Sequence, residues 1–414
     1  MRDLIFLSHR IPFPPDKGEK IRAWHIFRHL ARSHRMHLGC FIDDPADWAH
    51  VEALRAHCAD LACFGLNRTR QKVLSVARAR PGMPLTPGYF QDARLHRWVA
   101  GKRMAGIGRA FVYCSAMAPY LSGARGMRRV LDMVDMDSAK WGDYAGRARW
   151  PASAVWAREA RTLLAFERRA ALDFDRTLFV SQAEAADFIR AAPAAAGRVG
   201  WLDNGVDLEF FAPASFARPF AGSGADVVFT GTMDYRPNVD AVTWFVEAVW
   251  PMLRAGRPDL RFTVVGANPA PAVQRLATVP GVAVTGRVAD VRPYLAHADL
   301  VVAPLRIARG IQNKVLEAMA MARPVVATPQ AFAGLRAVAG RDLLVGGDAA
   351  GFAALAGEVL DGRRPGLGAS ARAAVAADYA WDATLAGLDA LFDDPPATAP
   401  CALALPLATH EAMT

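Results

Sequence analysis

The chain has 414 residues, 53% of them hydrophobic, with 49 Lys+Arg against 40 Asp+Glu and a formal net charge of +9. That length calls for two domains with substantial cores, and the apolar content excludes a disordered chain. No run approaches the ~18–20 uninterrupted apolar residues of a membrane span, and the opening "MRDLIFLSHR" turns polar too soon for a signal peptide, so a cytoplasmic protein is expected.

The charge is unevenly placed. Residues 1–207 hold 32 Lys+Arg and 21 Asp+Glu, a balance of +11, whereas residues 208–414 hold 17 and 19, a balance of −2. A basic first half suits an anionic membrane surface or nucleic acid. Because 43 of the 49 basic residues are Arg and alanine is abundant, GC-rich coding accounts for part of the excess. "RTRQKVLSVARARPG" and "GEKIRAWHIFRHLARSHR" interleave basic and apolar residues, as a membrane-surface helix or a solvated helix face would. Cys40, Cys58, Cys63, Cys114 and Cys401 are odd in number and lack Cys-x-x-Cys spacing, so buried thiols are expected rather than disulfides or zinc.

In chain order, "DLIFLSH", "MHLGCFID", "LACFGL", "AFVYC", "RVLDMV" and "RTLFVS" predict six strands separated by helical patterns. "DVVFTG", "LRFTVVG", "GVAVTG", "ADLVVAP", "PVVAT" and "DLLVG" predict six more. The alternation implies βαβ units and two parallel sheets. The expected organisation is a first Rossmann-like domain over 1–205, a Pro/Gly/Ser-rich linker and hinge over 206–224, and a second Rossmann-like domain over 225–377. A helix over 378–394 then packs back on the first domain, and a tail over 395–414 follows.

Ligands of such sheets sit where strand ends lead into helices. Four loops of the second half qualify: "FTGTMDYRPN", "VVGANPAP", "TGRVADV" and "APLRIARGIQNK". The last joins the backbone N–H groups of Gly310, Ile311, Gln312 and Asn313 to a helix start and the Lys314 ammonium, which makes an anion site. Lys314 and Glu317 are three residues apart and share a helix face. They form either an intrahelical ion pair or a site with an anionic group at the helix mouth and ribose-like hydroxyls one turn deeper. The sequence contains no G-x-x-x-x-G-K-[ST], H-E-x-x-H, G-x-S-x-G or post-strand G-x-G-x-x-G, so mononucleotide-diphosphate binding survives best.

"FVSQAEAADF", "DNGVDLEFFAP", "FTGTMDYRPNVDAVTWF", "FTVVGANP", "VTGRVADVRPYLAHADLVVAPL" and "NKVLEAMAMARPVVAT" together resemble glycosyltransferase family 4, the retaining GT-B enzymes. With "SHRIPFPPDKGEKIR" and "LDMVDMDSAKWGDYA", the chain is similar to the sugar transferases of bacterial exosortase/PEP-CTERM exopolysaccharide systems over about residues 3–392. The resemblance implies a GT-B fold: two Rossmann-like parallel-sheet domains facing a cleft, with the donor in the second domain and the acceptor in the first. It implies a hexosyltransferase of the EC 2.4 class that uses a nucleotide-diphosphate sugar as donor substrate, with no cofactor and no metal. The implied acceptor is a glycan or a polyprenyl-diphosphate-linked glycan, met at the cytoplasmic face of the inner membrane in peripheral contact, and nucleic acid is not among the partners.

Carried over by position, Glu317 binds the donor ribose, and the backbone at Arg287 and Val288 meets the base. Gly310, Ile311, Gln312, Asn313 and Lys314 hold the diphosphate and sugar. Gly231 and Thr232 let the first strand's loop approach the phosphates, and Gly18 does so from the other domain. Arg236 and Lys314 share the leaving-group charge, with Arg306 or Arg309 as third members. Asp135, with Asp137 as the alternative, faces the sugar or acceptor, and His9 ends the first strand near them. Two positions depart from the family pattern: Arg309 stands where a second Glu is common, and Asn238 where a Lys commonly follows the Arg. A nucleotide-sugar epimerase of GT-B fold and a catalytically inactive GT-B scaffold are the alternatives.

Overall fold

The computed structural model describes residues 1–15, 18–77, 82–308 and 310–393. Arg309 and the expected tail at 395–414 lie outside the described residues. The chain divides into two compact units: Met1–Asp203 joined by the chain from Leu385 onward, and Asn204–Thr384.

The first unit is built on strands β1 (Arg2–Ser8), β2 (His34–Ile42), β3 (Asp60–Gly65), β4 (Arg109–Tyr113), β5 (Arg128–Val134), β6 (Arg176–Phe179) and β7 (Val199–Trp201). They form one parallel sheet in the order β3-β2-β1-β4-β5-β6-β7. Leu4, Ile5, Phe6 and Leu7 of β1 are all buried, as expected of a strand covered by helices on both faces. The second unit holds β8 (Asp226–Thr230), β9 (Arg261–Val265), β10 (Val282–Val284), β11 (Leu300–Ala303), β12 (Val325–Ala327) and β13 (Leu344–Val345). Their order is β10-β9-β8-β11-β12-β13, again parallel. In each sheet the strand order reverses once, between β1 and β4 and between β8 and β11. The loops leaving those strands at their carboxyl ends are where a doubly wound sheet receives ligands.

The structure adds a seventh strand to the six expected in the first half. β7 is three residues, Val199-Gly200-Trp201, paired in register with Thr177, Leu178 and Phe179. It is too short, and broken by glycine, to show a period of its own. The linker expected at 206–224 is also different in substance. Phe211, Phe216 and Phe220 pack against the second unit's core. Arg292 lies 3.8 Å from the Phe210 ring centroid, and His297 Nε2 is 2.7 Å from the Phe216 carbonyl oxygen. Aromatic anchors bind this Pro/Gly/Ser-rich stretch to the unit it precedes in sequence.

The single helix expected over 378–394 is split into a helix at Trp381–Leu385 and a 3-10 turn at Asp389–Phe392. Before the break, Val206 N–H donates to the Tyr379 carbonyl at 2.7 Å. After it, Arg128 Nε donates to the Leu391 carbonyl at 2.7 Å inside the first unit. No helix among the described residues is long and apolar enough to cross a membrane.

The basic, apolar segment "GEKIRAWHIFRHL" is an interior helix, Gly18–Leu30, rather than a membrane-facing one. Its Lys20 pairs with Asp47 at 2.8 Å, and Arg22 holds Asp132 through Nε at 2.8 Å and Nη2 at 3.2 Å. Arg22 Nη1 also donates to the Leu202 carbonyl at 2.7 Å. Both partners of the Arg22–Asp132 pair are buried, so removing one strands the other charge. Arg22→Ala should cost about 3–5 kcal/mol of stability in urea unfolding; a loss under about 1 kcal/mol would show that Asp132 finds another partner.

Candidate functional site

The second unit concentrates functional geometry where β8 and β9 end. Gly231 follows β8 with φ +154°, and Gly266 follows β9 with φ +159°, a region that favours glycine. A Cβ on Gly266 would lie 1.7 Å from the Gly231 carbonyl oxygen, so the two loops touch only because that side chain is absent. A Cβ on Gly231 would lie 3.0 Å from Lys314 Nζ and 2.7 Å from Asn238 Nδ2. Met233 N–H then donates to the Ala267 carbonyl at 2.8 Å, and Ala270 N–H to the Met233 carbonyl at 3.0 Å, fixing the β8 loop on the β9 loop.

Lys314 reaches into this corner from the helix Asn313–Ala320. Its Nζ lies 4.4 Å from the Phe229 ring centroid and donates to Asn238 Oδ1. Asn238 in turn donates through Nδ2 to the Thr232 carbonyl at 2.9 Å. Lys314 and Glu317 are both half-buried on one helix face, and Lys314 hydrogen-bonds Asn238 rather than forming a salt bridge with Glu317. Burial pushes Lys314 down to about 7 and Glu317 up to about 7, while each charge partly offsets the shift of the other. No side chain caps the helix, although Val315 N–H donates to the Gln312 carbonyl at 2.9 Å. Asn313 Oδ1 accepts from Asn204 Nδ2 at 3.3 Å, which ties the helix start to the beginning of the unit.

The other expected donor-side residues fall into three groups. Gly310 takes φ +61° ahead of buried Ile311 and half-buried Gln312, so all three lead directly into the helix. Thr232 is exposed on the β8 loop, and Arg236 is exposed at the first position of the helix Arg236–Trp244, where Pro237 suits the start. Arg287, exposed, and Val288, half-buried, follow the edge strand β10, two strands away from β8. Arg306 is engaged by Asp240, with Nε 3.0 Å from Oδ2, and so is less available as a third cation.

In the first unit, the three carboxylates at and after the end of β5, Asp132, Asp135 and Asp137, have different surroundings. Asp132 is buried in its pair with Arg22 and also accepts from Val134 N–H at 3.1 Å. Asp135 is exposed. Val134 between them has φ +67° beside a register shift in the β5–β6 pairing, and Cys114 at the end of β4 has φ +80°. A β-branched residue in the left-handed region costs on the order of 1–3 kcal/mol and is typical of sites where backbone shape serves function. Asp137 opens the next helix, Asp137–Arg147, and burial raises it to about 6. His9 stacks on Tyr113 at 5.8 Å, edge-on to Phe90 at 5.5 Å, and burial lowers it to about 4, so it is neutral at pH 7. Gly18 begins its helix in an exposed position.

Two residues that sequence reading missed position this loop. Glu167 accepts from Ser138 N–H at 3.1 Å and from the Ser138 hydroxyl, and burial raises it to about 8. Glu184 accepts from Met136 N–H at 3.2 Å. Glu184 carries a local signal, since Ser181 caps its helix and Glu184 is three residues on. Glu167 sits mid-helix and carries none.

Comparison with known proteins adds the class. Residues 224–361 match the family model described as Glycosyl transferases group 1. Among solved structures, sucrose-phosphate synthase from Thermosynechococcus elongatus aligns at a TM-score of 0.70 with 18% identity, covering 95% of this chain and 98% of that one. HepE of Anabaena, solved in complex with UDP and glucose, aligns at 0.63 with 15% identity over 95% and 100%. WaaG, a glycosyltransferase involved in lipopolysaccharide biosynthesis, aligns at 0.65 with 16% identity over 94% and 100%. No curated protein matches the chain. The fold is GT-B, and the match of residues 224–361 to the group 1 model marks the chain as a glycosyltransferase.

The Glu167 carboxyl gives a pH test. Its folded value lies above the ordinary 4.5, so its contribution to stability is full below about 4.5 and is lost as pH rises through about 8. The melting temperature of Glu167→Gln should therefore gain on the wild type between pH 5 and pH 9. A constant difference across that range would mean that Glu167 ionises normally.

Proposed function

We propose that this chain transfers a sugar from a nucleotide-diphosphate sugar to a glycan or polyprenyl-diphosphate-linked glycan with retention of anomeric configuration, as a family 4 enzyme of exopolysaccharide synthesis. A lipid-linked acceptor would bring the enzyme to the cytoplasmic face of the inner membrane. The observation that carries the reading is the half-buried Lys314 amine at a helix start without a side-chain cap, hydrogen-bonded to Asn238 rather than salt-bridged to a carboxylate, with Glu317 one turn deeper. An anion is the missing partner, and vicinal hydroxyls suit the Glu317 carboxylate. The ligands in the HepE complex, UDP and glucose, are of this kind.

In the reaction, the bond from the anomeric carbon to the diphosphate oxygen breaks while the bond to the acceptor oxygen forms on the same face. The acceptor proton passes to the departing phosphate oxygen, and negative charge grows on the diphosphate. Lys314, the first-turn amides and Arg236 meet that charge. Glu317 orients the ribose, the backbone around Arg287 and Val288 meets the base, and Gly231 and Thr232 leave room for the phosphates. Asp135 contacts the sugar or acceptor from the first unit, where Gly18 also serves the donor phosphates. No cofactor is required by this chemistry.

Losing one preorganised positive donor of this kind costs on the order of 10²–10³-fold in rate. Lys314→Ala should lose that much turnover in a nucleotide-release assay while its melting temperature holds; equal turnover would remove Lys314 from the mechanism. Chromatography of the donor after incubation without acceptor separates transfer from epimerisation, since an epimerase converts the donor alone.

Binding itself should move a proton. At pH 8 Lys314 is mostly neutral in the free enzyme and Glu317 mostly ionised. A diphosphate raises the lysine's affinity for its proton, so calorimetry with UDP in buffers of different ionisation enthalpy should register uptake approaching one proton. Lys314→Ala should abolish it. No uptake by the wild type would show that the ammonium is already charged when empty.

A further inference from the structure

We propose that the helical hairpin Asp137–Arg147 and Ala152–Asp173 of the first unit is the surface by which this protein docks on an anionic lipid bilayer. Trp150, in the connection between the helices, is 82% exposed, and Val155, early in the second helix, is 52% exposed. Met83 is 51% exposed and belongs to the same surface, because Arg158 Nη2 donates to its carbonyl at 3.0 Å. Three large apolar groups are thus held in water by one small region.

The hairpin is rigidly founded. Beneath its outer residues Trp141, Tyr144 and Trp156 form an aromatic cluster with ring centroids 5.8–6.5 Å apart. Glu159 turns inward and accepts from the Leu85 and Thr86 amides, each at 2.9 Å, so its charge is spent on the fold. What faces outward is basic: Arg149 and Arg161 are exposed, and Arg158 is partly so. Between residues 140 and 161 the only other acid is Asp143.

An exposed indole flanked by arginines fits the headgroup layer, where an amphipathic ring rests at the boundary and cations meet anionic phosphates. A protein partner of ordinary composition would not require this pairing of apolar and uniformly basic groups, and the first half of the chain carries the whole basic excess. The segment Gly18–Leu30, read from sequence as either a membrane-surface helix or a solvated face, is neither, since Trp24, Ile26 and Phe27 are buried. The hairpin takes that role. The inference rests on the membrane-side part of the proposed function, but not on sugar transfer.

The test uses the full chain and vesicles free of any sugar acceptor. Flotation with vesicles of 30% phosphatidylglycerol in phosphatidylcholine should recover the protein, pure phosphatidylcholine should not, and raising salt should weaken the binding. Trp150→Ala should lower the partition at least tenfold, and the double variant Arg149→Glu, Arg161→Glu should do the same. Both should keep the wild-type melting temperature and UDP affinity, because these residues are exposed. Brominated phosphatidylglycerol should quench tryptophan emission less in Trp150→Ala than in the wild type. Absence of binding to the anionic vesicles at low salt would overturn the proposal. So would unchanged binding by both variants, or an effect of Trp150→Ala on self-association alone. A wild type that transfers sugar to a soluble acceptor but does not bind the vesicles would strike only this inference, and one that binds the vesicles but transfers no sugar only the proposed function.

Discussion

A desolvated amine hydrogen-bonded to an amide rather than salt-bridged to a carboxylate is the constraint on which the second unit's proposed site depends. Lys314 is kept near a phenyl ring and an amide oxygen, both of which attract a cation without neutralising it. Such a group prefers to be neutral in the empty protein and charged when an anion arrives. The two glycines at the ends of β8 and β9 belong to the same device. Gly266 lets the β9 loop lie against Gly231, and Gly231 leaves the volume that the ammonium and Asn238 occupy. Without either, the corner would close.

The first unit solves a different problem with the opposite charge. Its carboxylates at the end of β5 are sorted by their surroundings: Asp132 is neutralised by Arg22, Asp135 is exposed, and Asp137 is partly desolvated. Glu167 and Glu184 hold the loop that carries them by accepting its backbone amides. The strained backbone at Val134 and Cys114 is then affordable because neighbouring bonds over-determine it: Cys114 N–H donates to the Asp132 carbonyl at 2.8 Å and Val180 N–H to the Val134 carbonyl at 2.6 Å.

Much of this was legible in the sequence because periodicity and turn chemistry are local. The six strands of the second half and the helix start at Asn313 follow from apolar runs and their flanking loops. Lys314 and Glu317 could be paired on one face from spacing alone. What spacing could not settle was whether they pair with each other, since that depends on Asn238, 76 positions away. The same holds for Arg22 and Asp132, 110 positions apart, and for Glu167, which looks like any helical glutamate until Ser138 is placed over it. β7 was lost to its brevity. The 206–224 stretch misled because composition reports flexibility, while its phenylalanines report anchoring.

Asn238 explains how the empty site remains stable. A lysine there would put a second ammonium against the first, and two like charges about 4 Å apart cost about 4 kcal/mol at an effective dielectric of 20. Asparagine instead accepts from Lys314 with one end and donates to the Thr232 carbonyl with the other, so it aims the single cation and braces the β8 loop together. The consequence is a weaker standing field for an anion, concentrated at one point. In the proposed reaction Arg236, exposed at the start of the helix that also carries Asn238, would add the second charge once a ligand is present. An arrangement with one fixed and one mobile cation stabilises late-forming charge more than it stabilises the resting diphosphate, which is the direction in which binding energy accelerates a reaction.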